Sequence, residues 1–148
     1  MKCKLIMTKD PVCCLPGDTV DQAAKLMEDE VVGSIPVVAD QKTKRLVGIV
    51  TDRDLALKVV AQRRSIPSVT VEEVMSRNPV TCHADDDLQK AIDAMERNQV
   101  RRIPVVDDNN RIIGIIAQAD VAIRAHQPET TAEVVEEISK SAAAGSGR

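Results

Sequence analysis

The feature that most constrains this chain is that it repeats itself. Met7-Thr8-Lys9-Asp10-Pro11-Val12 falls on Met75-Ser76-Arg77-Asn78-Pro79-Val80 at an offset of 68 residues. At that offset Asp18 meets Asp86, Ala23 meets Ala91, Met27 meets Met95, and Ile35-Pro36-Val37-Val38 meets Ile103-Pro104-Val105-Val106. After a two-residue gap, Arg45-Leu46-Val47-Gly48-Ile49-Val50 meets Arg111-Ile112-Ile113-Gly114-Ile115-Ile116, and Asp54-Leu55-Ala56 meets Asp120-Val121-Ala122. A period of this kind marks one supersecondary unit used twice, each copy covering apolar surface that the other leaves bare.

Each copy parses in the same way. A short apolar piece after proline (Val12 to Leu15; Val80 to Cys82) reads as a strand closed by Pro16-Gly17-Asp18 or Ala84-Asp85-Asp86. Val20, Ala23, Ala24, Met27 and Val31 then recur at helical spacing, as do Leu88, Ala91, Ile92 and Met95, with Thr19 and Asp87 where an N-cap belongs. Two β-rich runs follow, Ser34 to Ala39 and Leu46 to Thr51 in the first copy, and a second helix starts near Asp52 or Gln118. The unit is β-α-β-β-α, twice, an α/β (α+β) chain expected to pack sheet to sheet about a pseudo-two-fold axis. Residues 1–60 are the first copy, 61–73 a linker and 74–128 the second. Residues 129–148 are expected to form a C-terminal helix over 131–140 and a frayed Gly/Ser tail.

Composition narrows the function. The chain has 148 residues, 43% of them hydrophobic, and no Phe, Tyr or Trp. Its core is therefore aliphatic, and base stacking on aromatic rings is excluded. A net charge of −3 with scattered basic residues gives no footprint for a phosphate backbone. No apolar stretch reaches membrane-spanning length and no leader opens the chain, so a cytoplasmic protein without nucleic-acid or membrane partners is expected. The four cysteines, Cys3, Cys13, Cys14 and Cys82, show no ligand spacing and read as reduced, apolar thiols. His83 and His126 stand in unrelated contexts, with no nucleophile beside them and no Walker or dinucleotide loop in the chain. No catalytic residue and no metal site is expected.

The segment with chemical content is Gly48-Ile49-Val50-Thr51-Asp52-Arg53-Asp54, which runs from a strand into a helix. Gly48 admits a close approach to the strand. Thr51 sets a hydroxyl where the helix start offers amide N–H groups to a phosphate. Asp54 offers two carboxylate oxygens to a ribose diol. The same Thr-x-x-Asp spacing is also that of a helix capping box, which needs no ligand at all. In the second copy Ala117 replaces the threonine while Asp120 persists.

The duplication, the Ile-Pro-Val-Val runs and the Gly48-to-Asp54 segment together resemble a CBS-domain pair, or Bateman module, over about Leu5 to Ala125. The resemblance implies a regulatory module that binds an adenosyl compound (AMP, ADP, ATP or S-adenosylmethionine) in the cleft between its halves. By this likeness Asp54, and Asp120 in the second copy, take the ribose, and Thr51 lies near the phosphate; Ala117 departs from the pattern. Adenine would enter apolar slots walled by Val12, Cys13, Ile35 and Pro36 in one half and Val80, Thr81, Ile103 and Pro104 in the other. Arg53, Arg101 and Arg102 are the cations for phosphate. The likeness also implies a homodimer through Met27, Met95 and the helices after Asp54 and Asp120, and a regulated protein partner. A constitutive interaction scaffold and a cysteine-based metal or redox binder, on Cys13 and Cys82, remain as alternative readings.

Overall fold

The computed structural model describes residues 1–124. The helix expected over 131–140, the tail and His126 lie outside the described residues. In chain order the elements are β1 (Thr8–Lys9), α1 (Val20–Glu30), β2 (Ser34–Val38), β3 (Leu46–Thr51), α2 (Asp52–Leu55), α3 (Val71–Val74), β4 (Ser76–Arg77), β5 (Cys82–His83), α4 (Leu88–Asn98), β6 (Arg102–Val106), β7 (Ile112–Ala117) and α5 (Gln118–Arg124). Short 3₁₀ turns cover Cys3–Leu5 and Ile66–Ser68, and one π turn, Ala56–Val60, extends α2.

The chain divides into two compact units that do not follow the repeat boundaries. The first unit is continuous, Val12–Pro79. The second joins Met1–Pro11 to the chain from Val80 onward. Each unit holds its own sheet, β2-β3-β4 in the first and β1-β7-β6-β5 in the second.

Local sequence explains the first unit. The Thr19 amide donates to the Gln22 side chain, closing a capping box that starts α1, and Val20, Ala23 and Met27 form its buried stripe. β2 and β3 pair antiparallel from Ser34 opposite Thr51 to Val38 opposite Leu46. Between them the Asp40 carboxylate accepts the Lys42 and Thr43 amides, and these hydrogen bonds hold it below the usual carboxylate range. The repeated aspartates Asp18 and Asp86 do equivalent work: the Leu15 amide donates to Asp18 and the His83 amide to Asp86, both at 2.8 Å.

Each unit is completed by the segment that precedes the other repeat. In the first unit α3 and Met75 enter the core, where Val69, Val71, Val74 and Met75 join Val20, Ala23, Ile35 and Val50. In the second, Cys3, Ile6 and Met7 join Ala91, Met95, Ile103 and Ile116. Cys3, Ile6 and Met7 are the repeat equivalents of Val71, Val74 and Met75 at the offset of 68 residues. The strands that follow these segments close the sheets: β4 pairs with β3 through Gly48 opposite Arg77, and β1 with β7 through Gly114 opposite Lys9. A Cβ on Gly48 would lie 2.7 Å from Met75 Sδ and 2.8 Å from the Ser76 carbonyl, and one on Gly114 would lie 2.6 Å from Met7 Sδ. The close approach that Gly48 permits is thus made by the chain itself.

Several expectations need correction. Residues 12–15 form no strand: between Pro11 and Pro16, only Cys14 bridges to Val37. The strand expected at Val80 to Cys82 starts at Cys82 and runs parallel to β6. Within the segment read as a linker, Val69 and Val71 are buried. Met27 and Met95, proposed for a dimer surface, are core residues, because their place on the apolar stripe of α1 and α4 turns them inward.

Substituting Gly48→Ala should force Met75 and the Ser76 backbone apart and cost about 1–3 kcal/mol, the usual range for overpacking. Gly17→Ala, with nothing within 4 Å of its added carbon, is the control. Urea unfolding of the two variants tests this, and equal midpoints would show that the methionine does not seat on the strand.

Candidate functional site

Strand β3 ends in the helix-starting turn that the sequence marked. Pairing of Ser34 with Thr51, and a 2.9 Å hydrogen bond from the Asp52 amide to the Gly33 carbonyl, fix this turn against the start of β2. Within it the Asp54 amide donates to Thr51 Oγ1 at 3.1 Å, and the Thr51 amide donates to Asp54 Oδ2 at 2.9 Å. This is a closed capping box. Both polar side chains are therefore occupied by their own backbone, and the cap is a sufficient reason for their spacing.

The other carboxylate oxygen has a different partner. Lys58 Nζ lies 3.0 Å from Asp54 Oδ1, and the same ammonium donates to the Val74 carbonyl at 2.8 Å. Val74 ends the helix whose next residue is the Met75 that covers Gly48. Lys58 was missed in the sequence, although the i, i+4 spacing from Asp54 was there to read. It stands on the π turn, where the Ala61 amide reaches back to the Ala56 carbonyl. The Asp54 side chain is 12% exposed and Lys58 48%, so the carboxylate is sheltered and its cation is half in water.

The second repeat reproduces this arrangement with different chemistry. The Gln118 amide donates to the Arg101 carbonyl at 2.8 Å, as Asp52 does to Gly33. Ala117 provides no cap, and Asp120, 8% exposed, faces Arg124 and Arg102. Burial raises the Asp120 carboxyl, while the two guanidinium groups pull it the other way. Burial likewise pushes the Arg102 guanidinium down to about 10, with Asp120 opposing the shift. Arg124, buried, donates to the carbonyl of Ile6. Arg124 stands four residues after Asp120, as Lys58 does after Asp54, and Ile6 is the repeat equivalent of Val74. Each repeat thus carries an acid and a base one helical turn apart, and in each the base grips a carbonyl of the segment that precedes the other repeat.

The remaining candidates divide between the units. With Thr51 and Asp54 in the first unit lie Gly48, Arg53, Val12, Cys13, Ile35 and Pro36; Arg53 and Val12 are exposed, Cys13 and Pro36 buried. The 3.0 Å hydrogen bond from the Cys14 amide to the Pro36 carbonyl lays residues 12–14 along β2. Ile35 is taken up by the core of this unit. In the second unit Ile103 is likewise core, Val80 and Thr81 are half-buried, Pro104 is buried and Arg101 is exposed. Among the described residues no helix is long and apolar enough to cross a membrane, and no three His, Cys, Asp or Glu side chains cluster as metal ligands.

Known proteins are similar to this chain in sequence and fold. The CBS domain profile matches residues 3–61 and 71–126. The CBS domain-containing protein YhcV of Bacillus subtilis is 38% identical over 133 residues, 90% of this chain and 91% of that protein. The crystal structure of Hypoxic Response Protein I with two coordinated zinc ions has a TM-score of 0.76 at 30% identity, covering 86% of this chain and 100% of that one. The CBS domain pair of protein MJ0100, in complex with 5′-methylthioadenosine and S-adenosyl-L-methionine, has a TM-score of 0.74 at 31% identity, covering 83% and 94%.

Removing the cap hydroxyl by Thr51→Ala should cost about 1 kcal/mol of unfolding free energy. Lys58→Met, which keeps an apolar stem but drops the ammonium, should also cost about 1 kcal/mol, mostly through the lost bond to the Val74 carbonyl. Denaturant titration of both variants measures these terms. A neutral Thr51→Ala would mean that the hydroxyl is not spent on the helix in solution.

Proposed function

The chain belongs to the CBS domain family, and from that premise we propose that it is a non-catalytic regulatory module binding an adenosyl compound at the β3–α2 turn. The ligand class comprises AMP, ADP, ATP and S-adenosylmethionine. MJ0100, similar over 83% of this chain, binds members of that class. The observation that carries the reading is the asymmetry of the Asp54 carboxylate. One oxygen is fixed in the cap and the other is held by a half-exposed lysine that can be exchanged. A ribose hydroxyl can donate to Oδ1 in place of Lys58 without opening the cap, and the released ammonium is then free for the ligand's phosphate or carboxylate. Arg53, on the exposed side of the same turn, is the second cation.

This exchange supplies a regulatory output. Lys58 also holds the Val74 carbonyl, so a ligand that recruits Asp54 changes the hold on the segment that completes the first unit. A ligand shifts a conformational equilibrium only by its difference in affinity for the two states. Here that difference would arise from one ion pair and one hydrogen bond. The second turn, with Ala117 and an arginine-faced Asp120, is the weaker candidate.

We further propose that two copies of the chain associate through the outer faces of the helices that follow the two turns. Leu57 and Ile123 are repeat equivalents and are 46% and 62% exposed, and Val60 and Ile66 of the first unit are also exposed. Water-facing apolar residues at one helix position in both repeats suit a symmetric partner.

Isothermal titration of the full chain with AMP, ATP and S-adenosylmethionine should show binding of at least one of them. Asp54→Ala should remove that heat and Asp120→Ala should spare it; no heat from any of the three, or heat that survives Asp54→Ala, sinks the reading. Because the chain lacks aromatic residues, absorbance in the adenine band of purified protein also reports carried ligand directly. For the association, light scattering at tens of micromolar, about the range of ordinary interface affinities, should give a dimer mass that Val60→Glu reduces to that of a monomer. A wild-type monomer at that concentration would remove this part.

A further inference from the structure

We propose that Cys3 and Cys82 are an oxidative modification site, at which a small disulfide such as oxidised glutathione closes a disulfide that fastens residues 1–11 to the unit they complete. The inference does not depend on nucleotide binding. It rests on how the N-terminal segment lies against the turn that follows β5.

The Cys3 amide donates to the Asp86 carbonyl and the Lys4 amide to the Ala84 carbonyl, both at 2.9 Å, while Lys2 pairs antiparallel with Asp87. These bonds hold the backbone of Cys3 along residues 84–87, directly after Cys82. Cys3 Sγ lies 3.8 Å from the Asp87 carbonyl. Cys3 and Cys82 are 0% and 3% exposed and share one core cluster, and each thiol shifts the ionisation of the other. A disulfide joins Cα atoms about 4.4–6.8 Å apart, the spacing of directly packed neighbours. The backbone bonds to Ala84 and Asp86 hold Cys3 close to the strand that carries Cys82, as such a bond requires.

The two sulfurs are also unequal. The hydrogen bond from Cys82 favours charge on the Cys3 sulfur and lowers its thiol, whereas the same bond and burial raise that of Cys82. Cys3, on the short N-terminal 3₁₀ turn, is the thiol that local opening exposes to the oxidant, and Cys82, on β5, is the resolving one. Cys13 and Cys14 give the contrast: burial raises both thiols, and that of Cys14 is pushed up to about 12.

The exchange balances in two steps. The Cys3 thiolate attacks one sulfur of oxidised glutathione, forming a mixed disulfide and releasing one glutathione thiolate, which takes the proton that Cys3 lost. The Cys82 sulfur, giving up its proton, then attacks Cys3 Sγ and expels the second glutathione as a thiol. Two protein thiols are oxidised and one small disulfide is reduced. Access to Cys3 requires local opening of its 3₁₀ turn, which breaks the backbone bonds to Ala84 and Asp86 and the surface ion pairs of Lys2 and Lys4 with Asp85, at 3.5 and 3.1 Å. Such exposed pairs are weak restraints.

The bond would change more than one contact. It would close a covalent loop from residue 3 to residue 82 that contains the entire first unit. It would also prevent Ile6 and Met7 from leaving the core of the second unit. Long closed loops restrict the unfolded chain most, so the oxidised form should be the more stable one.

The test treats the full reduced chain with excess oxidised glutathione, removes the oxidant, unfolds the product in denaturant, blocks remaining thiols there with an alkylating agent, and maps tryptic peptides without reduction. The expected result is a linked peptide joining Cys3 and Cys82, alkylation at Cys13 and Cys14 only, and titratable thiols falling from four to two. The thermal midpoint should rise by several degrees and return after dithiothreitol. Cys3→Ser should abolish both the link and the shift; should that variant not fold, the wild-type peptide map decides alone. Glutathione remaining on Cys3, a link through Cys13 or Cys14, or four titratable thiols after treatment would each overturn the proposal.

Discussion

Everything in this structure depends on a methionine seated on a glycine. Met75 covers Gly48 and Met7 covers Gly114, each so closely that no side chain fits on the glycine. That seat lets β4 pair with β3 and β1 with β7, and it brings Val71 and Val74, or Cys3 and Ile6, into a core that α1 or α4 alone leaves unfilled. Because each methionine precedes the repeat it does not complete, neither repeat can assemble its core from its own residues. The duplication is thereby more than a tandem arrangement of modules: each core takes in a segment from outside its own repeat.

The acid–base pairs reinforce that exchange. Lys58 and Arg124 each reach past their own helix to a carbonyl of the borrowed segment, at Val74 and at Ile6. A buried or sheltered cation needs an opposite charge near it, and Asp54 and Asp120 supply it. The persistence of an acid in the second repeat, where its capping partner is gone, thus has a structural reason that owes nothing to a ligand. It balances the arginine that anchors residues 1–11.

Much of this was legible in the sequence, and the gaps have physical causes. The strands β2 and β3 and the starts of α1, α2 and α4 were readable because dense Ile and Val runs and Thr or Asp caps are local signals, set by neighbours within a turn. The exchange of segments was not. Ile6 and Val74 belong to short stretches with no periodicity of their own, and nothing local tells a residue which of two equivalent cores it will enter. The strand expected over residues 12–15 failed for a related reason: Cys13 and Cys14 are buried, but the flanking prolines deny the segment the ladder that would make it a strand. Met27 and Met95 were misplaced on the surface although their helical spacing already set them on the apolar stripe. At Thr51 and Asp54 the sequence offered two meanings, and the cap is the one the geometry realises in the unliganded chain.

That geometry still separates the two turns by what they can exchange. At Asp120 the facing guanidinium groups of Arg102 and Arg124 are sheltered, so withdrawing the acid would leave them uncompensated in a poorly solvated place, at a cost that a modest ligand contact does not recover. At Asp54 the counter-ion is a lysine with half its side chain in water, and releasing it costs little because water takes the place of the carboxylate. The cap keeps Asp54 in position while its outer oxygen changes partners. On the proposed reading, an acid whose orientation is fixed by its own backbone, and whose charge is held by a replaceable cation, is preorganised for a guest. By the same token the second turn is suited to hold its unit together, so the duplicated motif has been divided into one exchangeable turn and one locked one.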